Sequence, residues 1–191
     1  GDNNVAVGYA AGDALTTGEK NIAIGVNALG SDTTGGRTVA IGQGALTTQN
    51  HTDGTTTYNV AIGYEAGAYV TTGTNNTFIG GLAGDATTTG ASNTAVGYNA
   101  GGANTTGANN TFIGEDAGAA NTTAGNNTFV GERAGAANTT GDESVAIGQY
   151  AYAANTTGVD NVAIGRSALS SNTTAHNNVA VGRSALLSNT T

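Results

Sequence analysis

A four-residue pattern, Val/Ile/Thr then Ala/Phe then Ile/Val then Gly, returns eleven times with its glycine at Gly8, Gly25, Gly42, Gly63, Gly80, Gly97, Gly114, Gly131, Gly148, Gly165 and Gly182. The step is 17 residues everywhere except between Gly42 and Gly63, where it is 21. Eleven units of seventeen plus four extra residues account for the whole chain, with the extra four falling between Gln49 and Tyr58. A strict short period means that each unit buries its apolar face only against its neighbours, which is the signature of a solenoid. The spacing of apolar residues within the motif is two, the period of a strand, and the Gly, Thr and Asn between motifs are poor helix formers. The expected fold is an all-β parallel β-solenoid, a β-roll of eleven 17-residue coils. Each coil holds two short strands and two turns, and the array forms a single domain over residues 1–191. At about 4.8 Å per coil the rod is roughly 50 Å long.

Each slot of the repeat carries a physical meaning. The Val, Ile or Thr two residues before each Ile or Val shares its face, and these two columns are expected to form the interior wall, with Ile24, Ile41, Ile62 and Ile79 inside. The residue between them is Ala in eight copies and Phe in three (Phe78, Phe112, Phe129), never polar. Apolar residues on both faces of one strand imply that both faces are covered. The Phe side therefore reads as packing between chains, joined by Leu29, Leu46, Leu169 and Leu186. An unvarying Ala follows three residues after each motif Gly. The next slot is Gly wherever the motif carries Phe (Gly84, Gly118, Gly135), so a bulky residue occupies one slot or the other, which hints at a shared volume. Four residues before the motif Gly stands Asn in nine copies, and Asn21, Asn59, Asn76, Asn93, Asn110, Asn127, Asn161 and Asn178 are expected to form a hydrogen-bonded ladder along the rod. Thr-Thr-Gly segments between motifs supply the turns.

Composition excludes several functions. Leu, Ile, Val and Phe make up less than a fifth of the chain, a level that warns of disorder, but only 9% of residues are charged, so pattern decides the matter. Five Lys and Arg against 13 Asp and Glu give a net charge of −8, unsuited to nucleic acid or an anionic membrane. No apolar run is long enough to span a bilayer. Without Cys there is no disulfide scaffold, thiolate zinc site or thiol nucleophile. His51 and His176 read as loop residues, no nucleophile-elbow or phosphate-loop pattern occurs, and the acidic residues do not recur at one slot as calcium-roll ligands do. No enzyme activity, metal or cofactor is expected. Ten Asn-x-Thr sequons arise from the repeat itself, at Asn50, Asn75, Asn104, Asn109, Asn121, Asn126, Asn138, Asn155, Asn172 and Asn189.

Ser144-Val145-Ala146-Ile147-Gly148 and Asn161-Val162-Ala163-Ile164-Gly165 resemble the head repeats of YadA-like trimeric autotransporter adhesins. The Asn-Thr-Phe-Ile-Gly variant with Asn-Thr-Thr-Gly is similar to repeat regions of phage and bacterial tail-fibre proteins. The resemblance implies a left-handed roll, three chains about one axis, and surface attachment outside a cell or on a virion. The period here is longer than that of the adhesin heads. The expected function is a structural or adhesive section of an extracellular fibre, with an unidentified surface receptor. The alternatives are a filament whose subunits stack end to end, for which Thr191 followed by Gly1 would recreate the Thr17-Gly18 step, and an ice- or glycan-binding solenoid.

Overall fold

A computed structural model describes residues 1–190, so the Thr191–Gly1 junction lies outside the described residues. Eleven three-residue strands, from β1 (Val5–Val7) to β11 (Val179–Val181), form one parallel sheet in strict sequence order, one strand per coil. Every pairing is in register, Ala6 with Ala23 and Phe112 with Phe129 among them. Between β3 (Val39–Ile41) and β4 (Val60–Ile62) the register also holds, Val39 opposite Val60, although the step there is 21 residues. Part of the longer segment rejoins the stack through a bridge between Gly36 and Thr56.

The strands are short because the motif glycine ends each one in a conformation only glycine adopts. Gly114, for example, has φ +132°, and a Cβ there would stand 2.6 Å from the backbone of Gly131 in the next coil. The remainder of the coil is built from left-handed residues, not from the second strand expected from sequence. In the coil of Gly97, Asn99 (φ 54°) and Asn109 (φ 60°) both have positive φ. This wall is hydrogen-bonded from coil to coil as the sheet is, through pairs such as Gly101 N–H to Ala117 O (2.9 Å) and Thr105 N–H to Thr122 O (2.7 Å).

The interior is the reverse of the expected one. The Ala/Phe column faces inward: Ala40, Ala61 and Phe129 have no exposed surface, and Phe78 and Phe112 retain 1%. The invariant Ala column opposite, Ala28 through Ala168, is equally buried. The Val/Ile/Thr columns point outward, with Ile62 at 37%, Ile79 at 38% and Ile113 at 39% exposure, while Ile24 and Ile41 are half-buried. A coil of seventeen residues is too thin to enclose a β-branched wall; it has room for two facing rows of Ala with an occasional ring or Leu. The assignment of Phe78, Phe112, Phe129, Leu29, Leu46 and Leu169 to contacts between chains is therefore corrected. These side chains are covered within a single chain and leave nothing to offer a second. Leu186, in the last coil, is 49% exposed.

The shared volume is visible directly. A Cβ on Gly84 would collide with the Phe78 ring, and one on Gly118 would lie 2.6 Å from Phe112. The sharing extends to neighbouring coils. Gly67 lies beneath Phe78 (2.7 Å from its notional Cβ) and against Leu46 (3.0 Å), so the Ala61/Gly67 coil is filled from both sides. Phe112 and Phe129 stack at 5.5 Å between centroids, and Tyr152 continues the series 6.4 Å from Phe129.

Candidate binding surfaces

The Asn ladder exists, but from coil to coil its bonds run from side chain to backbone, apart from an amide-to-amide bond from Asn178 Nδ2 to Asn161 Oδ1 (3.1 Å). The Oδ1 of Asn76 accepts from the N–H of Asn93 (2.9 Å), and its Nδ2 donates to the Gly90 carbonyl (2.9 Å). Asn59, Asn93, Asn110 and Asn127 repeat both bonds, so each amide staples its coil to the next. Asn21 does the same with Thr38 and Gly35, and Asn161 with Asn178 and Ala175. All but Asn178 are buried, and each of the side-chain-to-backbone bonds satisfies a backbone group that would otherwise be stranded at the coil corner. A second column, Asn104, Asn121, Asn138 and Asn155, makes true amide-to-amide bonds of 2.6–3.1 Å. Sequence reasoning missed this column, although it had a signal: Asn recurs seven residues after the motif Gly from Asn104 onward. Six of the ten sequons have their Asn in this slot, which makes Asn104, Asn121, Asn138, Asn155 and Asn172 buried.

Two surfaces stand out on the exterior. The first is the outward face of the sheet, two columns of Val, Ile and Thr running the length of the rod without a charge. At strand and residue spacings it covers on the order of 500 Å², as large as the largest apolar patch on a typical monomer.

The second surrounds the four-residue insertion. Beneath it lies a polar network with almost no exposed surface. Asp32 accepts from the N–H groups of Gly35 and His51 (both 3.0 Å) and from Gln49 Nε2 (2.6 Å), and Gln49 Oε1 accepts from Asn59 Nδ2 (2.8 Å). Thr38 and Thr57 share a 2.6 Å bond. His51, expected as a solvated loop residue, is instead 5% exposed, with Nδ1 unpartnered among the described residues. The network anchors both ends of the inserted segment, at Gln49 and His51 on one side and Thr57 and Asn59 on the other, while Thr52, Asp53 and Gly54 stay exposed. On its flanks lie two open clefts of about 290 and 250 Å³; Lys20, Arg37 and Gly54 line the larger, and His51 and Asp53 the smaller.

The titratable groups give no acid–base pair. Burial raises the pKa of Asp85, and burial also raises Tyr152, whose hydroxyl donates to Gly158 O at 2.9 Å. A hydrogen bond to Glu65 raises Tyr64, and the Thr55 hydroxyl lowers Asp53. Tyr64 and Asp85 both feel the charge of Glu65 on adjacent coils, while Asp53 and Tyr152 lie elsewhere in the fold. Among the described residues no group of three His, Asp or Glu is placed to hold a metal ion, and no helix is long and apolar enough to cross a membrane. Compared with family models, curated proteins and solved structures, the chain matches none.

Proposed function

We propose that this chain is a structural and adhesive section of an extracellular fibre, without catalysis, in which copies associate through the outward Val/Ile face of the sheet. The observation that carries this reading is that face: eleven coils of unbroken β-branched surface, on a rod whose turns are mostly polar and expose apolar side chains singly, as at Tyr9, Tyr64 and Tyr98. Two such faces in contact would bury about 1,000 Å² in total, the level at which specific interfaces begin. Three copies about one axis would cover all three faces, the arrangement implied by the resemblance to YadA-like heads, as is a left-handed roll. The test is sedimentation of the wild type beside an Ile79→Glu/Ile113→Glu/Ile147→Glu variant. The expected result is an oligomer for the first and a folded monomer for the second, by circular dichroism. A wild-type monomer at high concentration would overturn the reading.

A second reading has one observation in its favour. Thr77, Thr94, Thr111 and Thr128 stand in one column of this flat face beside Ile79, Val96, Ile113 and Val130, a regular Thr/aliphatic array of the kind that can order water for ice binding. It needs the face free, so thermal hysteresis from a monomeric protein would favour it, and an oligomer without hysteresis would eliminate it.

A further inference from the structure

Of the five cations in the chain, two stand on adjacent coils at the larger cleft beside the insertion. Lys20 and Arg37 occupy equivalent corner positions with φ of 61° and 60°, and Tyr58 continues the column. The Arg37 guanidinium lies 5.7 Å over the Tyr58 ring and donates to its hydroxyl at 3.3 Å. Arg37 makes no ion pair among the described residues, while Lys20 has a half-exposed partner in Glu19 at 3.7 Å; the Glu19 carboxylate also lines the cleft, so an incoming anion takes its place at the ammonium. Thr17 and Thr56 add hydroxyls to the cleft, and Gly54, from the insertion, closes one side. The Gly54 N–H donates to Thr34 Oγ1 at 2.9 Å, which ties that side to the coil stack.

We infer that this cleft binds an acidic saccharide, its carboxylate or sulfate held by Arg37 and Lys20. A planar guanidinium matches an oxyanion through two parallel hydrogen bonds, and an ammonium adds a point charge beside it. Tyr58 lies outside the cleft lining and steadies the Arg37 guanidinium from behind, and the hydroxyls of Thr17, Thr34 and Thr56 match those of a sugar. A volume of about 290 Å³, at the lower end for ligand sites, suits one sugar residue in place of an extended chain. The insertion explains why the site stands at this coil: an added loop on a solenoid marks one face of one coil, and binding surfaces of repeat proteins concentrate there. Arg166 and Arg183 also sit on adjacent coils, yet they line neither of the two clefts beside the insertion, so they carry the same charge without that loop. This inference rests on the adhesive part of the proposed function and is independent of how the chains associate.

The test is a resonance-shift titration of the whole chain with 3′-sialyllactose, glucuronic acid and lactose 6-sulfate, with lactose as the neutral probe. The first two probes separate sialic from uronic carboxylates, and the third tests sulfate. At least one acidic probe is expected to bind with a dissociation constant on the order of 1 mM, shifting Arg37 and Gly54, while lactose leaves them unmoved. Lys20→Gln/Arg37→Gln should weaken that binding at least ten-fold, and Arg166→Gln/Arg183→Gln should leave it unchanged. No binding by any acidic probe, equal binding of lactose, or equal weakening in both variants would overturn the inference. Sedimentation of the same samples reads association separately, so a failure here is distinguishable from a failure of the fibre reading.

Discussion

Exchanging the bulk between Phe78 and Gly84 tests the shared interior volume. Phe78→Ala removes a ring that keeps 1% of its surface and that also covers Gly67, at a cost of about 3–5 kcal/mol. Gly84→Leu drives a side chain into that ring; overpacking of about 1–3 kcal/mol and left-handed strain of about 1–2 kcal/mol bring it to roughly 2–5 kcal/mol. If the two were independent, the double variant would lose roughly 5–10 kcal/mol and would not fold. The double variant, however, places an alanine in the strand slot and a leucine in the slot across from it. That combination already stands at Ala40/Leu46 and Ala163/Leu169, where Leu46 and Leu169 sit fully buried at φ 49°. The coil above, Ala95/Gly101 beneath Phe112, matches the Ala61/Gly67 coil that already accepts Leu46 from below. The double variant should therefore lose only about 1–3 kcal/mol, a coupling of at least about 2 kcal/mol. Urea unfolding followed by far-ultraviolet circular dichroism, with unchanged m-value, measures all four corners of the cycle. Additive losses would refute the argument that the two slots fill one space.

Gly114→Ala should cost at least about 3 kcal/mol, since it combines a glycine-only φ with a collision against Gly131, whereas Gly81→Ala, where a Cβ meets nothing closer than 3.7 Å, should stay within about 0.5 kcal/mol by the same assay. Asn110→Ala deletes the bonds to the Asn127 N–H (3.0 Å) and the Ala124 carbonyl (2.8 Å) and leaves both buried, so a loss of about 2–5 kcal/mol is expected in urea, and a neutral result would show the ladder to be decorative. Asp85 has its folded pKa raised by burial, so folding is favoured below its unfolded pKa and that contribution is lost as pH rises through the folded value. Asp85→Asn should thus be more stable than wild type at neutral pH and indistinguishable from it below the ordinary carboxylate range; the reverse order would contradict the burial argument.

The period, the one-coil step and the parallel in-register stack were legible because every motif residue recurs at a fixed distance. Which side of the strand faces inward was not. Alternation tells faces apart only when one is polar, and here Ala/Phe and Val/Ile are both apolar. The deciding quantity is the thickness of the coil, which follows from how tightly the non-strand wall turns, and that depends on left-handed φ at residues such as Glu65 and Leu82 that no propensity favours. The Phe/Gly exchange at Phe78 and Gly84 was the one sequence feature that carried the answer, since two slots can trade volume only if they face each other. The insertion was located from the step length alone, whereas its buried support, Asp32 and Gln49, lay in the early coils of the column that becomes Asn only from Asn104 onward, where Leu15, Asp32, Gln49, Val70 and Thr87 follow no pattern.

Because interior volume is shared across coil boundaries, the array is not a string of interchangeable parts. Unequal recombination can add or remove whole 17-residue units and keep the sheet in register, changing the rod in increments of about 4.8 Å. The outcome depends on which unit is lost. Removing residues 162–178 would leave Tyr152 beneath Ala180 where it now lies beneath Ala163, a neutral change. Removing residues 60–76 would set Leu46 directly under Phe78, with no Gly67 between them to receive both. Such a lineage can vary in length freely only where small residues separate large ones, so the order of its coils is itself an inherited trait.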